Sequence, residues 1–260
     1  MTNNSLLLPI VIPLIAGLLI LPIRRRFMGV REAVALLGTF LNLAIVTILF
    51  KHDLSYSLPW ASFGMEFIFR LYHFSSFILL ATAVFAFLFI LYCCSFMRDK
   101  NYLNQFYFYL LASVAMVNGA VLADNLVLML FFWEGLLLTM FGLIALGGKE
   151  AFKTATKAFI IVGVSDLCLM AGIGLTAHLA HTLTMSRINV PTGTLGSVAF
   201  IFMMIGAISK AGAMPFHSWI PDAAIDAPLP FMAFLPNFSS RSRCLQASSR
   251  SFSLSLATRR

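Results

Sequence analysis

Long apolar stretches recur along the chain, separated by short polar connections. A helix needs roughly 20 apolar residues to cross about 30 Å of hydrocarbon. On that measure the pattern predicts spans at about 5–23, 32–50, 74–96, 106–123, 126–146, 157–178 and 196–225, with the start of an eighth near Pro228. Gly212 to Pro215 interrupt the seventh span, and both residue types break helices. The fourth and fifth spans are joined by little more than Asp124-Asn125, which predicts a tight antiparallel pair. The segment from Lys51 to His73 departs from this pattern. It carries Pro59, Trp60, Gly64 and an alternation of polarity from Met65 to Arg70, which fits either a short external hairpin or an interfacial segment.

Composition agrees with the pattern. The 260 residues are 60% hydrophobic and 11% charged, whereas soluble domains are about 45–50% apolar and 25% charged. The fold class is therefore an all-α polytopic membrane protein of about seven transmembrane helices plus the start of an eighth. Leu6 to Leu21 has no Lys or Arg before it and no small-residue cleavage site, so it reads as an uncleaved first span rather than a signal peptide. Cys93, Cys94, Cys168 and Cys244 form no metal or iron–sulfur spacing and read as small buried hydrophobes.

The formal charge of +8 owes five units to Arg241, Arg243, Arg250, Arg259 and Arg260. The remaining charge is small, and no nucleic-acid partner is implied. The connections sort by charge. Arg24, Arg25, Arg26, Arg31, Arg98, Lys100, Lys149, Lys153 and Lys157 fall on one side, and Lys51, Arg70 and Arg187 on the other. The positive-inside rule then predicts an external N-terminus in a multi-pass inner-membrane protein. Residues 237–260 are rich in Ser and Arg and have the composition of disorder. The apolar run from Pro228 to Pro236 stops abruptly before them, as a frameshifted or truncated reading frame would make it. A genuine basic tail is the alternative. Translating the downstream DNA in the other two frames tests the point, since a frameshift requires an apolar helical sequence in one of them.

Ionisable residues inside apolar runs are costly and mark ion or proton pathways. Lys210 ends the run Val198 to Ile208, just before the predicted break. It is either a proton-handling group beside a broken helix or a lysine snorkelling to the interface. Glu134 lies eight residues after Leu126, flanked by Phe131-Phe132-Trp133 and Gly135-Leu136-Leu137-Leu138. Nothing local satisfies it, so it needs a partner on another helix or a proton. Asp166, near the middle of the sixth span, has a structural hydrogen bond and a functional role equally open to it. Lys157 belongs with Lys153 to a collar at the start of the sixth span, or leans inward to a carboxylate. His217, Asp222 and Asp226 surround the break, and His178 and His181 lie at the far end of the sixth span. A Glu–Lys pair about 7 Å apart, at an effective dielectric of about 20, interacts by roughly 2.4 kcal/mol. That is the scale of moving one charge through 100 mV, about 2.3 kcal/mol.

Three stretches in order carry a family resemblance: Phe132-Trp133-Glu134-Gly135, then Lys157-Ala158-Phe159 with Val162-Gly163-Val164-Ser165-Asp166, then Ser209 to Ala223. They resemble the antiporter-like proton-conducting subunits of respiratory complex I (NADH:quinone oxidoreductase), of multisubunit sodium/proton antiporters and of membrane-bound hydrogenases. The resemblance covers about residues 75–236. It implies two inverted five-helix repeats, of which this chain holds only the first. Residues 1–105 would supply three N-terminal helices, 106–236 an incomplete first repeat, and 237–260 the tail. Glu134 would be the intramembrane acid, Lys210 the pumping lysine and Asp166 part of their network, with Lys157 and His217 as lesser members. The implied function is proton or cation translocation coupled to quinone- or hydrogenase-linked electron transfer. A sodium/proton antiporter subunit without redox coupling, or a non-conducting fragment, are the alternatives. The wording around Met214 to Trp219 and at Asp226-Ala227-Pro228 leans toward the hydrogenase-like and antiporter-like branches. The chain carries no nucleotide fingerprint and no iron–sulfur or flavin ligands, so no cofactor is expected in it. Its expected partners are other membrane subunits and the lipid bilayer.

Overall fold

A computed structural model describes residues 3–24, 27–60, 65–97, 101–190, 193–228 and 230. The expected start of an eighth span beyond Pro230 and the whole 237–260 segment lie outside the described residues. The helices are α1 (Leu8–Ile20), α2 (Met28–Leu49), α3 (His73–Phe96), α4 (Leu103–Leu122), α5 (Leu126–Ala145), α6 (Lys149–Ala180), α7 (Thr194–Lys210) and α8 (Trp219–Asp226). Five of them, α2 to α6, are long and apolar enough to cross a membrane, while α1 and α7 are shorter apolar helices. Together with the apolar composition this makes the chain a multi-pass membrane protein.

The expected seventh span, 196–225, is α7, a break over 211–218, and α8. The expected sixth span, 157–178, lengthens at both ends into a 32-residue helix. Its first eight residues, Lys149 to Thr156, are too polar to count as membrane-crossing yet still helical, and they overhang the apolar core of the helix.

Strands β1 (Leu54–Trp60) and β2 (Met65–Leu71) pair antiparallel with Leu54 opposite Leu71 and Tyr56 opposite Phe69. The undecided segment between the second and third spans is thus a hairpin. Its alternation has a physical use: Phe69 and Leu71 are buried among α-helical side chains, while Glu66 and Arg70 face out. Among the described residues this hairpin is the departure from the all-α architecture.

Helix α4 is the most enclosed, lying against α1, α3 and α5. Polar side chains tie the apolar helices where no water can. Asn118 on α4 donates to Pro9 O (2.8 Å) and Asn42 Oδ1 (3.3 Å), joining α1, α2 and α4. Ser113 on α4 donates to Thr139 on α5 at 2.9 Å. The Asp124-Asn125 corner does form the tight α4–α5 turn, and it is stitched to its neighbours. Asp124 N donates to Ile68 O on β2 (2.8 Å), and Ser186 Oγ donates to Asp124 Oδ2 (2.7 Å). Asn125 Oδ1 caps α5 by accepting from Val127 N (2.9 Å), and its Nδ2 donates to Glu66 O (3.1 Å).

Candidate functional site: a lysine at the helix break

Helix α7 reaches the site along α6, its most extensive partner. Gly206 permits that approach, since a Cβ there would stand 2.7 Å from Leu169 Cβ. Its end is fixed by the backbone. Gly212 has φ 68, in the left-handed region, and a Cβ there would overlap the Ile220 side chain. Ala213 N donates to Ile208 O (3.1 Å) and Gly212 N to Ser209 O (3.0 Å). These are the two reverse bonds of a Schellman cap. The cap makes Lys210 the last residue of α7, where the negative end of the helix dipole favours a cation.

The Lys210 side chain is 10% exposed and the Asp166 side chain 3%. Lys210 Nζ stands 3.6 Å from Asp166 Oδ2. It donates to the main-chain oxygen of Trp133 at 2.7 Å and lies 4.3 Å from the centroid of that indole. Trp133 Nε1 in turn donates to Asp166 Oδ1 at 2.9 Å. A desolvated cation over a Trp ring gains about 2 kcal/mol or more. Withdrawing an unpaired ammonium from water costs several kcal/mol. One carbonyl, one ring and one carboxylate together offset that penalty.

Glu134 belongs to the same electrostatic cluster, interacting with both Asp166 and Lys210. Its Oε1 atom is buried with no hydrogen-bond partner among the described residues. The sequence pointed to Glu134 coupled to Lys210 across about 7 Å; the carboxylate in ion-pair contact with Lys210 is Asp166. The reason is geometric: Asp166 and Trp133 face each other across α5 and α6, and the end of α7 lands between them.

The other candidates lie elsewhere. Lys157 pairs with Asp222 at 2.7 Å, both side chains over 40% exposed, and also donates to Ser218 O (3.2 Å). It therefore leans to a carboxylate, but to one on α8 rather than one in the buried cluster. Thr154 donates to Asp226 Oδ2 at 2.5 Å, so both carboxylates of α8 hold it against α6. Lys153 pairs with Glu150 at the exposed start of α6. His217 sits on a short 3-10 turn in the break, and its Nδ1 is buried without a partner among the described residues. At the opposite end of α5 and α6, Glu66, Asn125, His181 and Arg187 line a cavity of about 520 Å³. Among the described residues no group of three or more His, Cys, Asp or Glu is placed to hold a metal ion. The residue that sequence reasoning missed is Trp133. It stands in the stretch Phe132-Trp133-Glu134-Gly135 without a role assigned to it, because an aromatic beside other aromatics in an apolar span gives no signal of its chemistry.

Residues 123–240 match the family described as NADH:quinone oxidoreductase/Mrp antiporter, transmembrane region. Subunit A1 of a sodium/proton antiporter from Staphylococcus haemolyticus is 31% identical over 153 residues, which are 56% of this chain and 19% of that protein. The chain thus spans about a fifth of the length of that relative. The Mrp complex of a Dietzia species superposes with a TM-score of 0.75 at 23% identity, covering 90% of this chain and 26% of that one. Respiratory complex I from Thermus thermophilus superposes with a TM-score of 0.73 at 19% identity, covering 85% of this chain and 47% of that one.

Proposed function

Residues 123–240 belong to the antiporter-like membrane-subunit family, and from that premise we propose that the chain carries a proton-handling site for ion translocation, built on Lys210, Asp166 and Glu134. The observation that carries this reading is the Lys210 ammonium, buried at a helix break between a carboxylate and a carbonyl. A change in the surroundings of a lysine so placed changes how firmly it holds its proton, and Glu134, in the same cluster, is an acid able to drive that change or receive the proton. Movement of the α7 end by a few ångströms would alter all three contacts at once. The chain would act with other membrane subunits, as the Mrp and complex I neighbours do within their complexes. Residues 106–236 would form the conducting unit against the helices of 1–105, with the N-terminus outside and the Lys149–Lys157 end of α6 in the cytoplasm.

Exchange driven by an ion gradient is the better supported coupling, because the sequence relative is a sodium/proton antiporter subunit. Coupling to electron transfer is the second reading, favoured by the oxidoreductase half of the family description. Everted vesicles containing the chain in its assembled complex, given a sodium pulse and no electron donor, separate the two. Acid release from the donor-free vesicles favours exchange; release only after a donor is added favours redox coupling. In either case Lys210→Ala is expected to abolish ion movement while native gels show unchanged assembly. Parental transport in that variant would refute the assignment.

A further inference from the structure

We propose that Trp133 is the positioning residue for Lys210, a role that rests on reading Lys210 as the proton-handling group. Three contacts converge on this one residue. Its main-chain oxygen accepts from Lys210 Nζ at 2.7 Å, its ring lies 4.3 Å from the same nitrogen, and its Nε1 donates to Asp166 Oδ1 at 2.9 Å. The carbonyl belongs to the interior of α5, so it is fixed by the helix and cannot follow the lysine. The indole N–H occupies Asp166 Oδ1, which leaves Oδ2 as the oxygen facing the ammonium at 3.6 Å. Trp133 therefore sets the place of the cation and the orientation of its counter-ion together.

The surrounding residues on α5 do not duplicate this role. Phe131 is exposed, and Phe132 packs on Phe69 of the hairpin, ring centroids 6.2 Å apart. Trp133 packs instead against the cluster of Leu126, Leu169 and Ile173, the last two of which lie on α6. Glu134 follows it by about 100° around the helix, and its Oε1 makes no hydrogen bond among the described residues. With the ammonium held at Trp133, Asp166 rather than Glu134 is its contact carboxylate.

Ultraviolet resonance Raman spectra of the full chain in detergent, taken as parent minus Trp133→Phe, isolate the Trp133 bands from those of Trp60 and Trp219. The indole N–H band is expected at its hydrogen-bonded position, moving to the free position in Asp166→Leu. In Lys210→Met the N–H band should stay while the ring band shifts as the cation leaves. Neither band moving in either variant overturns the proposal. In assembled vesicles, Trp133→Phe keeps a ring but loses the N–H, and Trp133→Leu loses both. Transport is expected to fall by roughly tenfold to a hundredfold, more in the Leu variant, at unchanged assembly. Parental rates in both variants also overturn it. If Lys210→Ala leaves transport intact, the functional reading fails, and the Raman spectra still decide whether Trp133 holds the lysine.

Discussion

At the scale of single residues, the buried ion pair is a local balance with measurable terms. Removing one partner of such a pair leaves a charge without compensation, at a cost of roughly 3–5 kcal/mol, whereas removing both is often neutral. Asp166→Leu is therefore expected to lower the stability of the chain in detergent by that amount, and Asp166→Leu with Lys210→Met to recover most of it. A thermal or denaturant double-mutant cycle that includes Lys210→Met alone reads this, and a double-variant loss equal to the sum of the two single losses would show that no coupling exists. Glu134, Asp166 and Lys210 were legible in the sequence because ionisable groups are conspicuous in apolar runs. Which carboxylate meets the lysine was not legible, because that depends on how three helices face one another. Trp133 was silent for a related reason: its contributions are a ring face, one N–H and a main-chain carbonyl, and composition distinguishes none of these from ordinary packing.

At the scale of elements, the break after Lys210 is a backbone device. Gly212→Val places a branched side chain at φ 68 and against Ile220. The left-handed conformation alone costs roughly 1–2 kcal/mol, and the overlap adds to it. Gly174→Ala, in mid-helix with open space at the Cβ, is expected to be neutral or slightly stabilising. Thermal unfolding of both variants tests the contrast, and equal stability would mean that the cap does not hold the end of α7. Gly212 and Pro215 announced this break, and the apolar runs announced the spans. The overhang of α6 was hidden because Lys149 to Thr156 has helix-forming residues but no apolar stripe long enough to count as membrane. The hairpin was ambiguous because alternating polarity fits both a strand pair and a surface segment. It was decided by long-range contacts, from Ile68 and Glu66 to the α4–α5 corner.

At the scale of the whole molecule, the connections divide between two faces, and this is open to direct test. In a background lacking the native cysteines, Lys51→Cys and Arg187→Cys are expected to react with a membrane-impermeant maleimide from one side of sealed vesicles, and Lys153→Cys from the other. Labelling of all three from one side would overturn the threading of α2 to α6. The sorting of charge was readable along the chain, because each connection is short and carries its own charges. The pinning of one face was not, since the contacts of Asp124 and Asn125 join residues some sixty positions apart. The depth of Lys210 also has an electrical meaning. Its nitrogen bonds the carbonyl of Trp133, the eighth residue of the 20-residue α5. At 1.5 Å per residue it therefore stands about 12 Å from the hairpin-face end of a helix about 30 Å long. In a uniform field a proton passing between Lys210 and the hairpin face would cross roughly 0.9 kcal/mol per 100 mV, leaving about 1.4 kcal/mol for the other side, so voltage acts on both legs of the path.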